Sequence, residues 1–180
     1  MRDQLYIIDE TFKAEPANFK YVNLKTGMEI GVETLEKLSN TLMKIFAPYL
    51  ASAKEITVED PFIRASWQVK NFMEFCAMLI DTRPVDDLKL NLVTNEDDEK
   101  IPELIDKFDE IKNDLASYGI RFEYSFRAFH DRRIHTDTGW TISLGRGLDI
   151  FEKYSPLSIA NNRQDKRKCK EFMVTYTKNK

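Results

Sequence analysis

The chain has 180 residues, 27 Lys and Arg against 30 Asp and Glu, with 42% hydrophobic and 12% aromatic residues, the profile of one folded domain with room for a core. Nothing in it approaches the ~20 consecutive apolar residues of a membrane-spanning helix, and Met1-Arg2-Asp3-Gln4-Leu5-Tyr6 lacks the basic, apolar and small-residue order of a signal peptide, so a cytoplasmic chain is expected. Cys76 and Cys169 are far apart and outside any CxxC or Cys/His spacing, which points to reduced thiols and against a disulfide framework or a metal site.

A net charge of −3 speaks against a globally basic nucleic-acid binder, but the average hides an asymmetry. Residues 81–117 carry twelve acidic and five basic side chains, a net of −7, while residues 161–180 carry seven basic and two acidic, a net of +5. The basic segment reads either as solvated surface or as a rim that meets an anionic partner.

In chain order, residues 4–8 and 19–24 are strand-like, with Lys25-Thr26-Gly27 as a turn. Leu35, Leu38, Leu42, Ile45, Phe46 and Tyr49 recur every three or four positions and predict a helix over 33–49, with Pro48 in its last turn. Residues 55–60 form a β-branched strand that stops at Pro61. A helix follows to about Asp81, burying Val69, Phe72, Met73, Cys76 and Leu79 or Ile80. Leu88, Leu90 and Leu92 alternate with polar residues as a strand, and residues 95–100 are an acidic loop. A helix over 101–117 has an apolar stripe and Gly119 where a left-handed cap is wanted. Next come a strand over 120–126, a hairpin of strands 132–136 and 140–144 around Asp137-Thr138-Gly139, and a last strand over 171–177. Met28, Met43, Met73 and Met78 are expected to fill the core or its edge. This order predicts a mixed β-sheet flanked by helices, with ligands outside the carboxyl ends of the parallel strands, near Asp60-Pro61, Thr94-Asn95 and 126–129.

Functional side chains gather in one place. Both histidines fall in 129–137, and an extended chain there puts His130, Arg132 and Ile134 on one side and Asp131, Arg133 and His135 on the other. An imidazole and a guanidinium two residues apart can reach one phosphate, the first as nucleophile or acid and the second as a clamp, with Asp137 to orient the imidazole. The same residues also read as ordinary polar positions of a hairpin. Gly145-Arg146-Gly147 reads either as a strand-ending turn or as an arginine fork between two glycines that allow close backbone approach. No Walker loop, Rossmann glycine fingerprint, serine elbow or paired-carboxylate site is present, and no cofactor or metal is expected.

The stretches Ile56-Thr57-Val58-Glu59-Asp60-Pro61-Phe62-Ile63-Arg64, Gln68-x-x-Asn71-Phe72-x-x-Phe75-Cys76-x-Met78-Leu79-Ile80, Leu115-x-Ser117-Tyr118-Gly119, His130-Asp131-Arg132 and Gly139-Trp140-x-Ile142-x-Leu144-Gly145-Arg146-Gly147-Leu148-Asp149-x-Phe151 resemble the phospholipase-D-like domain at the C-terminus of MIT-domain (microtubule-interacting-and-transport) proteins. The likeness divides the chain into an N-terminal extension, 1–18, and a single domain, 19–180. It implies an α/β fold with a phospholipase-D-like mixed sheet flanked by helices, one copy per chain, that self-associates as a homodimer and binds acidic, phosphoinositide-bearing membranes. The link of animal members to ESCRT filaments runs through a separate helical domain and is not expected to carry over.

True phospholipases D use His-x-Lys-x4-Asp twice, and here the match is a single His130-x-Arg132-x4-Asp137. Arginine keeps the charge of lysine but not its shape, so phosphate binding survives the change better than catalysis. The expectation is a non-catalytic homodimeric module, cytoplasmic and peripheral at membranes, holding phosphate with His130, Arg132, Arg146 and Arg64 beside Gly145 and Gly147, and touching it again with the basic C-terminal segment. Two alternatives stand beside it: a phosphodiesterase or nuclease that pairs His130 across a dimer, with Arg132 and Asp137 in the site, and a protein-interaction adaptor with a vestigial groove. Nucleic acid ranks behind lipid as the ligand.

Overall fold

A computed structural model describes residues 6–8, 19–24, 40–82, 87–96, 99, 101–155, 157–163, 166–167, 170 and 172–178. Its strands are β1 Tyr6–Ile8, β2 Phe19–Leu24, β3 Glu55–Glu59, β4 Leu88–Thr94, β5 Ile120–Phe126, β6 Arg133–Thr136, β7 Trp140–Leu144 and β8 Phe172–Lys178. Its helices are α1 Asn40–Leu50, α2 Ser66–Thr82 and α3 Ile101–Ser117. Gln4, Leu5, the turn at Lys25-Thr26-Gly27, Met28 and the first part of the helix expected over 33–49, with Leu35 and Leu38, lie outside the described residues.

The strands form one mixed sheet in the order β1-β2-β8-β7-β6-β3-β4-β5. β3, β4 and β5 are parallel, joined through α2 and α3, and the other pairs are antiparallel. Parallel neighbours need a crossover, and the alternation of strand and amphipathic helix over 55–126 supplies two. Outermost is β1, drawn from the segment read as an N-terminal extension.

Period-two patterning decides which face is covered. Ile56, Val58, Leu90, Leu92, Phe122, Ile134, Ile142 and Val174 face one side and join Phe46, Phe72, Phe75, Leu79 and Phe108 of the helices in a single core. The alternate positions are polar: Thr57 stands opposite Asn91 and His135, and His135 opposite Thr141. Helical stripes fill the other half of the core, with Leu42, Ile45, Phe46 and Leu50 buried from α1 and Leu104, Phe108, Ile111 and Leu115 from α3. Gly119 takes φ +75° after α3, as the left-handed stop requires.

α2 departs from its expected face. Met73 is 50% exposed, whereas Glu74 and Met78 are buried beside Phe75 and Cys76. The helix is covered on a second side by the long connection after β7, which sends Leu148, Ile150 and Phe151 into the core. That connection is held by Arg167, expected among the solvated or ligand-facing residues of the basic segment and in fact only 5% exposed. Its guanidinium grips Glu74 through two hydrogen bonds of 2.8 and 2.9 Å, donates from Nε to the Ala160 carbonyl at 2.7 Å, and lies 5.1 Å from the centroid of the Phe151 ring. Planar bidentate pairing suits arginine, and it leaves neither charge unpaired away from water. Lys170 is also engaged, 2.6 Å from Asp149.

Breaking a buried pair leaves its partner as an uncompensated charge. Arg167→Met is therefore expected to cost about 3–5 kcal/mol in urea unfolding, and adding Glu74→Leu to restore much of the loss. Additive losses in the double variant would contradict the pairing.

Candidate functional site

Three segments converge at the carboxyl end of β3. The ladder still reaches Asp60, whose N–H bonds to the Val93 carbonyl at 3.0 Å, and Pro61 then ends the strand. Turning back on itself, the chain places the Phe62 N–H 2.9 Å from Asp60 Oδ1. α2 opens with the Gln68 side chain accepting from the Ala65 N–H at 2.9 Å and the Arg64 N–H at 3.3 Å, which satisfies backbone donors the helix cannot use.

Gly145-Arg146-Gly147 brings the second segment in. Gly147 has φ +60°, and a Cβ there would lie 1.9 Å from Asp60 Oδ2 and 3.1 Å from Arg132 Cδ, so this position needs glycine twice over. Behind it the Leu148 N–H reaches Asp60 Oδ2 at 3.4 Å. Gly145 is less constrained, since a Cβ there would meet Met173 at ordinary contact distance.

Arg132, from the connection between β5 and β6, is the third segment. Its Nη1 donates to the Gly145 carbonyl at 2.7 Å, and its guanidinium carbon lies 4.1 Å from the centroid of the Phe62 ring. Its Nε is 3.9 Å from Asp60 Oδ1, too far for a hydrogen bond, and this buried N–H has no acceptor among the described residues. Between the three segments lies a cleft of about 120 Å³ lined by Asp60, Phe62, Asn71, Arg132, Arg146 and Asp149. Burial pushes the Asp60 carboxyl above the ordinary carboxylate range, partly offset by the Phe62 N–H and the Arg132 charge.

Arg132, Arg146 and Gly147 thus meet at one place, next to the first of the three strand ends named from the sequence. Arg64 enters through its backbone at the head of α2, with its guanidinium 6.0 Å from the Phe62 ring centroid. His130 is exposed in the β5–β6 connection and does not line the cleft. β6 starts at Arg133, one residue later than expected; the Arg132 carbonyl still accepts from the Leu144 N–H at 2.9 Å, whereas His130 lies two residues earlier in the connection. Asp137 sits at the far end of β6, where its Oδ1 accepts from the Lys54 and Glu55 N–H groups at 3.0 and 3.2 Å and pins the start of β3. Five residues of extended chain separate it from Arg132, roughly 16 Å.

On the opposite, polar face of the sheet, buried Glu59 gathers Arg127, Arg133 Nε at 3.4 Å and His135 Nε2 at 3.4 Å. His135 Nδ1 in turn lies 3.1 Å from Thr141 Oγ1. Neighbours in sequence, Glu59 and Asp60 point to opposite faces, and so Arg133 and Arg132 part company with them. The central place of Asp60 was not singled out from the sequence, although Asp60-Pro61 was marked as a strand end; a carboxylate before a strand-ending proline and a Gly-x-Gly turn after a hairpin were the available signals. Among the described residues no group of His, Cys, Asp and Glu could hold a metal ion, and no helix is long and apolar enough to cross a membrane.

Residues 39–178 match the family described as the phospholipase D-like domain at the C-terminus of MIT. The chain is also similar to MIT domain-containing protein 1 of Mus musculus, 35% identical over 140 residues, which covers 76% of this chain and 56% of that protein. It spans little more than half the length of this relative.

Two outcomes follow from the packing around Asp60. Gly147→Ala is expected to destabilise the fold by about 2 kcal/mol or more, read in urea unfolding, because it combines a clash with a left-handed backbone. Because the folded state holds the Asp60 proton more tightly than the unfolded chain does, the ionised form carries a stability cost that is full above the folded pKa and vanishes below the ordinary one. The stability of Asp60→Asn relative to the native chain should accordingly rise between pH 4 and pH 7; a pH-independent difference would contradict the burial argument.

Proposed function

The chain belongs to the family of phospholipase-D-like domains found at the C-terminus of MIT proteins, and from that premise we propose that it is a non-catalytic, homodimeric binding module for phosphate-bearing ligands, above all acidic phospholipid membranes. The observation that carries this reading is the pair of arginines, Arg132 and Arg146, that line a cleft of about 120 Å³ at the carboxyl end of β3. Arginine presents a planar fork to phosphate oxygens, and the Arg132 Nε–H without an acceptor adds a donor a bound oxyanion would satisfy. Pockets for drug-sized ligands start near ~300 Å³, so this cleft suits one phosphate group and not a whole nucleotide, which favours a headgroup presented at a surface.

Asp60 is the counterweight. A carboxylate at the floor repels an anion, and its raised pKa lowers that repulsion by easing protonation when a phosphate arrives. Support for a reading without catalysis comes from the separation of the His-x-Arg-x4-Asp triplet: His130 lies outside the cleft and the carboxylate of Asp137 is spent on the backbone of β3. Hydrolysis by this triplet within the cleft of one chain would require both groups to leave these positions.

Sedimentation with vesicles of phosphatidylcholine alone, or with added phosphatidylserine or phosphoinositide, tests the proposal. The native chain should bind only the acidic vesicles and lose binding as salt rises. Arg146→Ala, at an exposed position, should weaken binding several-fold while leaving stability within about 0.5 kcal/mol. Asp60→Asn should tighten it at pH 7. Equal binding to neutral vesicles, or the same affinity in all three proteins, would overturn the reading.

A further inference from the structure

Between β7 and β8, residues 157–163 show apolar side chains to water. Leu157 is 94% exposed and Ile159 is 72% exposed. Single exposed apolar residues are common on folded proteins, but these two flank one residue on a segment that is firmly anchored. Ser158 caps the short 3-10 turn Ile159–Asn162 with its side chain accepting from the Ala160 N–H at 3.3 Å. Ala160 is buried, and its carbonyl and that of Asn161 both accept from Arg167, itself locked to Glu74. The root of the segment is thus tied into the core while Leu157 and Ile159 stand outward from it.

The surroundings define the partner. Trp67 is 40% exposed at the head of α2, with Lys153 Nζ 5.2 Å and Lys170 Nζ 5.7 Å from its ring centroid. Lys153, Arg163 and Lys166 are exposed on the segment or close to it in the chain, against the half-buried Glu152. A hollow lined by Trp67, Lys153, Tyr154 and Asn161 shares Asn71 and Asp149 with the arginine cleft, so both features lie on one side of the molecule. Exposed aliphatic side chains, a part-exposed indole flanked by two lysines, and further exposed cations on or just after the segment are the chemistry that an acidic bilayer takes up in its acyl, interfacial and phosphate layers.

We propose that residues 157–163 form a membrane wedge that inserts Leu157 and Ile159 into the acyl region of an acidic bilayer, with Trp67 at the interface and Lys153, Arg163 and Lys166 against the headgroups. The inference rests on the reading above that the ligand is an acidic membrane, and it adds a second, apolar contact to the ionic one. Stable membrane attachment generally takes two signals, and an apolar wedge together with a headgroup cleft supplies both.

The probe is a set of vesicles of phosphatidylcholine with phosphatidylserine, plain or brominated at the acyl chains, with the native chain, Leu157→Ser/Ile159→Ser and Leu157→Trp. The double variant should keep the native unfolding midpoint and bind acidic vesicles at least tenfold more weakly. Its residual binding should vanish at 0.5 M salt, where the native chain still retains some. Leu157→Trp should add emission that brominated chains quench beyond the quenching of the native protein. Unchanged affinity of the double variant together with unquenched added emission overturns the wedge and leaves the cleft reading standing. Failure of the native chain to bind any acidic vesicle overturns both. A native dimer that Leu157→Ser/Ile159→Ser converts to monomer in size-exclusion chromatography, with vesicle binding unchanged, assigns the prongs to a second copy of the chain and overturns the wedge as well.

Discussion

Asp60 is the joint on which the functional end of the molecule hangs. Its carboxylate accepts from the Phe62 and Leu148 N–H groups, touches the space where any side chain at position 147 would be, and sits under the Arg132 guanidinium. One buried acid thereby fixes the exit of β3, the turn after β7 and the connection into β6, three segments distant in sequence. Burying that charge costs stability unless hydrogen bonds and a cation surround it, and here two backbone donors and one arginine do. The arrangement also keeps Arg132 partly spoken for and partly free to bind: two contacts orient it, to the Gly145 carbonyl and the Phe62 ring, while its Nε–H is left over. A site built this way is positioned by the scaffold before any ligand arrives, which lowers the entropy a ligand must supply.

The second organising contact is the Glu74–Arg167 pair. It turns part of a basic segment inward and ties the long connection between β7 and β8 to α2. Charge that counts toward a +5 patch in the sequence is therefore not all surface charge: Arg167 is internal, Lys170 is held by Asp149, and Lys178 lies 5.3 Å from the Trp140 ring centroid. Among the described residues of the connection, Lys153, Leu157, Ile159, Arg163 and Lys166 remain outward, beside the uncharged Ser155 and Asn162.

Legibility in the sequence followed the range of the interaction. β4 and β5 were readable because Leu88, Leu90 and Leu92, and then Phe122, alternate strictly with polar residues, and α3 because its stripe is regular and Gly119 ends it. Arg132 and Arg146 were readable as anion ligands from their chemistry and their glycine neighbours. Glu74 and Arg167 are 93 residues apart, and no local pattern announces a salt bridge of that span. Met73 was placed inward because a single helical stripe was assumed, whereas α2 is covered on two sides. The alignment of His130 with Arg132 supposes an extended chain over all of 129–137, but β6 begins only at Arg133, three residues after His130, and Asp137, read as an imidazole partner, is a backbone acceptor at the other end of that strand. The motif's spacing in sequence is thus not a distance in space.

A nuclear magnetic resonance titration with a short-chain acidic phospholipid below its micellar concentration reaches the central claim most directly. If the cleft over Asp60 holds phosphate, the Arg132 Nε–H and the Leu148 amide shift in a saturable manner, and Arg146→Ala weakens the response. Saturable shifts confined to the polar sheet face around Glu59 and His135, with the Arg132 and Leu148 signals unmoved, would contradict it.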